Sequence, residues 1–103
     1  MTVANATICS TMSADPDFRE IVELFVAEVP DRVASLTDAF DANRWADLRR
    51  IAHQLKGAAG GYGYPDLTTA ASQLEFAIDA SHPVEQIKEQ LDGLIELAGR
   101  IAV

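Results

Sequence analysis

Apolar residues in this chain recur every three or four positions, and no period-two alternation lasts long enough for a convincing strand, so the pattern predicts helices. Ser13-Ala14-Asp15-Pro16 reads as a start signal, with Asp15 as N-cap and Pro16 at the first helical position. Phe18, Ile21, Val22, Phe25, Val26 and Val29 then form a wide apolar stripe. Pro30 is expected to break or kink this helix, because proline removes a backbone donor and crowds the preceding turn. A second helix is expected from Asp31 to about Ala42, burying Val33, Leu36 and Phe40. The third starts near Asn43 or Arg44, carries Trp45, Leu48, Ile51, Ala52, Leu55, Ala58, Ala59 and Tyr62, and ends at the glycines around 60–63. Pro65 opens a fourth, with Leu67, Ala70, Ala71, Leu74, Ala77 and Ile78 inward. After the Ser81-His82-Pro83 turn, a fifth shows Val84, Ile87, Leu91, Leu94, Ala98 and Ile101.

Amphipathic helices joined by short links pack as antiparallel neighbours. The expected fold is all-α: an antiparallel four-helix bundle made by helices two to five, with an additional N-terminal helix packed across it. Residues 1–12 are expected to be an irregular N-terminal segment, with Ile8 tucked against the body, and residues 13–103 the helical bundle domain. The full length of 103 residues fits one domain. Cys9 is the only cysteine, so no internal disulfide and no cysteine-based zinc site can form. No apolar run approaches the roughly 20 residues of a membrane span. MTVANATICS lacks the basic flank of a signal peptide, so the cytoplasm is the expected location.

A net charge of −8 argues against nucleic acid or an anionic membrane as partner. The charge is uneven. Residues 44–57 hold Arg44, Arg49, Arg50 and Lys56 against Asp47 alone, a local +3, while the remainder carries −11.

That basic stretch surrounds AHQLKGAAGGYG, residues 52–63, where four glycines weaken a helix that also carries a histidine and a lysine. At 100° per residue, the apolar set of this helix centres about 160° from His53, so the imidazole points away from the core. Its neighbours at three and four positions are Arg49, Arg50, Lys56 and Gly57, with Gly60 a turn further. Gly57 removes a side chain that would cover the ring, and Gly60 lowers the next step, so a bulky partner can reach the nitrogen. A neutral imidazole is a nucleophile near neutral pH. Lys56 is placed to offset the charge of a phosphoryl group on it, and Arg49 and Arg50 extend the basic rim toward a docked partner. There is no GxxxxGK[ST] loop and no carboxylate cluster for Mg²⁺, so the chain is expected to lack autonomous kinase activity.

Ala52-His53-x-Leu55-Lys56-Gly57, followed by Gly63, resembles the signature of histidine-containing phosphotransfer (HPt) domains. The likeness runs from about Asp15 to Ile101 and includes FVAEVPDRVASL and DLRRIAHQLKGAAGGYGYPDLTTAASQLE. It implies a phosphocarrier in which His53 exchanges a phosphoryl group reversibly with aspartates of response-regulator receiver domains. No cofactor is then expected in this chain, since the partner receiver supplies Mg²⁺. A hybrid histidine kinase is a further possible source, and the domain is expected to act as a monomer. Many members carry a glutamine near the histidine. The matching place here is Glu75, as in chemotaxis-kinase phosphotransfer domains, where a carboxylate would hold the Nδ1 proton and leave Nε2 to attack. Gln73, on the other flank of the same helix, is the alternative.

Other readings remain open at this level. A docking module could bind receivers without carrying phosphate, though it has no need of a nucleophile. A kinase domain could phosphorylate His53 directly, as in chemotaxis kinases. A metal site on His53 and Glu75 would have only two ligands. A dimerising histidine-kinase domain lacks support, because Gln54 follows the histidine where that family has glutamate. Cys9 has no evident activator, and His82 reads as a turn residue.

Overall fold

The computed structural model describes residues 6–12 and 14–103. Ser13 of the expected start signal and residues 1–5 of the expected irregular segment lie outside the described residues. Six elements follow in order: β1 (Ile8–Cys9), α1 (Pro16–Asp41), α2 (Trp45–Gly61), α3 (Pro65–Asp79), α4 (Val84–Ala98) and β2 (Ile101–Ala102). Each helix packs on its neighbour in sequence, and α1 closes the ring against α4. The fold is an all-α helical bundle with a small two-stranded clip.

Asp15 caps α1 as its sequence suggests: the carboxylate accepts the Asp17 N–H at 2.9 Å, and Pro16 supplies the first turn. Pro30 does not end the helix. The segments expected to be a separate N-terminal helix and the first bundle helix are one 26-residue helix. A proline inside a helix costs about 3 kcal/mol. Here it sits on the exposed face, while Val22, Phe25 and Val29 before it and Leu36 and Ala39 after it are buried on one continuous stripe. Burying a single such aliphatic side chain contributes about 1.5–3 kcal/mol, so the stripe outweighs the break. Only part of the expected stripe is interior, since Phe18 and Ile21 are over 40% exposed.

Leu48, Ile51, Ala52, Leu55 and Ala59 turn α2 inward, facing Leu67, Ala70, Ala71, Leu74 and Ala77 of α3. The turn between α1 and α2 closes through Asn43 at φ 57°, a left-handed conformation that asparagine tolerates. Between α2 and α3, Gly63 takes φ +85° and Tyr64 is fully buried. The Phe25 ring stacks on Tyr62 at 5.0 Å and tilts against Tyr64 at 5.6 Å, joining the first half of α1 to the end of α2.

Two corrections concern the chain ends. The fifth helix stops at Ala98, and Ile101 belongs to β2 rather than to the helical stripe. Residues 8–12, expected to be irregular, are fastened to the body: β1 pairs in parallel with β2, Ile8 opposite Ile101 and Cys9 opposite Ala102. Thr11 N–H donates to the Gly63 carbonyl at 2.8 Å, and the buried Ser10 hydroxyl donates to the Tyr62 carbonyl at 2.5 Å. The Tyr64 hydroxyl reaches the Ala102 carbonyl from the other side.

Candidate functional site

With five residues of α2 committed to the core, His53 faces outward, and 58% of its side-chain surface is exposed. The adjacent helix α3 brings Glu75 beneath it. Glu75 is only 7% exposed, and its two oxygens face three side-chain nitrogens, two in hydrogen bonds and one in an ion pair. Oε2 lies 2.9 Å from His53 Nδ1 and 3.1 Å from an Arg49 guanidinium nitrogen, while Oε1 accepts from Lys56 Nζ at 2.7 Å. Glu75, not Gln73, therefore contacts the histidine. Gln73 is exposed and lines a separate cleft with Phe76, His82 and Gln90.

The Lys56 hydrogen bond, above all, holds the Glu75 carboxyl below its ordinary range, helped by His53 and opposed by desolvation. An ionised carboxylate has no proton to give, so the contact requires the proton on Nδ1 of the neutral ring. In that tautomer the ring's lone pair is on Nε2, the nitrogen that does not face Glu75. Lys56 is half-buried and a turn along from the ring. An ammonium has three N–H donors, so the bond to Glu75 leaves others available.

The basic rim differs from its appearance in the sequence. Arg49 turns toward α3, where its Nε donates to Asp79 Oδ1 at 2.5 Å and its other end meets Glu75. Arg49 is thus tied down across two helices rather than standing as a free cation. Arg50, one position on, turns to the α1 side, 3.7 Å from Asp47 and beside Asp31, Ser35 and Gln54. Of the local positive charge, Arg49 and Lys56 meet the two carboxylates of Glu75 and Asp79, so these four groups cancel at the side of His53.

The glycines separate by what surrounds them. A Cβ on Gly57 would meet nothing within 4 Å, so no helix contact requires this residue to be glycine. Gly60 lies against α3, with Thr68 Oγ1 at 3.4 Å from such a Cβ. Gly63 serves the clip, since a side chain there would come within 2.6 Å of Thr11 Oγ1 and 2.7 Å of Ser10 Oγ.

Asp79 was not singled out from sequence. Its signal is present: it stands four residues after Glu75, as Arg49 stands four before His53, so the two pairs share facing helix surfaces. His82 sits in its turn with its ring edge-on to Phe76 at 5.7 Å. Cys9 is exposed. Among the described residues no group of three or more His, Cys, Asp or Glu could hold a metal, and the cations Arg49 and Lys56 already engage Oε2 and Oε1 of Glu75. Among the described residues no helix is long and apolar enough to cross a membrane.

In comparisons with known proteins, a family model described as "Hpt domain" matches residues 20–102. No curated protein and no solved structure gives a significant match.

Proposed function

The chain belongs to the Hpt domain family, whose members carry phosphoryl groups on histidine in phosphorelays and interact with response-regulator receiver domains, and we propose that His53 is its phosphoacceptor. The observation that carries this reading is the exposed imidazole with Nδ1 on Glu75, which leaves the lone pair on Nε2.

In the proposed step, the Nε2 lone pair attacks the phosphorus of a receiver aspartyl phosphate. The Nε2–P bond forms as the P–O bond to aspartate breaks, and the aspartate leaves as a carboxylate. The ring gains positive charge while its proton stays on Nδ1, and Glu75 Oε2 stabilises that charge through the same hydrogen bond. Lys56 turns an N–H toward the phosphoryl oxygens. The receiver brings the Mg²⁺ that offsets charge on the transferring group. Run backward with a second receiver, the same step passes the phosphoryl on. Gly57 leaves room for the receiver to approach, and Gly60 continues that low surface.

The test is transfer from a phosphorylated receiver in the presence of Mg²⁺. Label should appear on His53, be acid-labile and alkali-stable, and vanish in His53→Gln. Binding without transfer across several receivers would instead support a docking module. Glu75 favours a second reading, in which a chemotaxis-type kinase domain with ATP fills the same nitrogen. Labelling by such a domain and by no receiver would select it.

A further inference from the structure

We propose that Arg49 and Asp79 are positioning residues for the acceptor nitrogen rather than docking residues: Asp79 fixes the Arg49 guanidinium, and the guanidinium holds Glu75 where its Oε2 keeps the proton on His53 Nδ1. This rests on the reading of His53 as phosphoacceptor and deepens it.

The geometry forms a relay of four groups. Asp79 Oδ1 accepts from Arg49 Nε at 2.5 Å, the other arm of the guanidinium lies 3.1 Å from Glu75 Oε2, and that same oxygen is 2.9 Å from His53 Nδ1. Lys56 alone would draw the carboxylate toward Oε1, away from the ring. Arg49 pulls on the oxygen that the imidazole uses, so the two cations hold Glu75 from both ends. A planar guanidinium suits this work because its nitrogens keep a fixed fork, one tine for each carboxylate. Asp79 and Arg49 are each close to half exposed, and ion pairs that exposed add little stability. Their alignment with the acceptor is what distinguishes this pair from the other surface pairs, such as Arg19 with Glu23 or Lys88 with Asp92, which join residues of one helix.

Imidazole ¹⁵N NMR on the whole protein reads the tautomer without any partner. At a pH high enough that the ring's ¹⁵N shifts no longer change on adding base, the unmodified protein should show His53 as the Nδ1–H form. Arg49→Met and Asp79→Ala should shift it toward Nε2–H. Arg49→Lys should fail to restore it, because an ammonium cannot span both carboxylates, whereas Asp79→Asn should restore most of it, since the amide oxygen still accepts from Arg49 Nε. Transfer from a saturating phosphorylated receiver should fall about tenfold in Arg49→Met, with the half-saturating receiver concentration unchanged. An unchanged tautomer with a raised half-saturating concentration overturns the proposal in favour of docking. An unchanged tautomer with unchanged kinetics overturns it in favour of a solvated pair. Failure of the unmodified protein to accept label on His53 defeats the functional reading instead, while the NMR result still decides the positioning.

Discussion

Replacing Gly57 by alanine should make the protein more stable and a poorer phosphotransfer partner, two effects of opposite sign from one methyl group. Gly57 lies inside α2, exposed, with nothing within 4 Å of an added Cβ. The substitution therefore removes the backbone-entropy penalty of glycine without a clash, a gain of about 0.5–1 kcal/mol. For a domain of this size each kcal/mol moves the midpoint by about 4–8 °C, so thermal unfolding should shift upward by about 2–8 °C. Gly93, inside α4 and equally open, is the control: Gly93→Ala should give the same gain and leave transfer alone. At Gly57, transfer from a phosphorylated receiver should decline as the side chain grows from alanine to glutamine, with the longer one costing on the order of tenfold or more through misplacement of the reacting atoms. A stabilised Gly57→Gln protein that still transfers at the original rate would show that access is not why glycine stands there. A destabilised Gly57→Ala protein would mean that the gap is used by the fold itself.

Gly63→Ala should be damaging, by about 2–4 kcal/mol, since it adds left-handed backbone strain to contacts of 2.6 and 2.7 Å with the clip. Urea denaturation in a Ser10→Gly, Thr11→Gly background should recover part of that loss, and an equal loss in both backgrounds would refute the contact. Because folding holds the Glu75 carboxyl below its ordinary range, with Lys56 as the main cause, the associated stability is complete above about pH 4.3 and disappears as pH falls through the lower folded value. Glu75→Gln should flatten that acid limb, and parallel stability curves for the two proteins would contradict it. Arg50→Glu should slow transfer at low salt and lose its effect as ionic strength rises, because Arg50 is exposed and paired only loosely with Asp47 at 3.7 Å. A salt-independent defect would count against a steering role.

The helices of the bundle were legible because three-to-four spacing survives in every one of them, and the same stripe fixed the outward direction of His53. Pro30 shows the limit of a local rule: the residue forbids a hydrogen bond, but whether the helix stops depends on burial contributed by Val22, Phe25, Leu36 and Ala39 together. The clip was invisible for another reason. Two-residue strands carry no periodicity, and Ile8 finds its partner only at Ile101. At the site, His53, Lys56 and Glu75 could be named from the chain, but the directions of Arg49 and Arg50 could not. Consecutive helical residues diverge by about 100°, and only the seating of α3 decides which one meets carboxylates. Asp79 followed the same logic, since its role exists only once α2 and α3 are in register.

The parallel sense of β1 and β2 has a mechanical consequence. Tension along the polypeptide, drawn backward from Ile8 and forward from Ala102, makes the paired segments slide lengthwise, so their bonds resist together instead of peeling open in succession. Ser10 and Thr11 anchor the same segment to the carbonyls of Tyr62 and Gly63 immediately behind it. A pull on the chain is thus met first at this fastening, whose own anchor points are the carbonyls at the C-terminal end of α2.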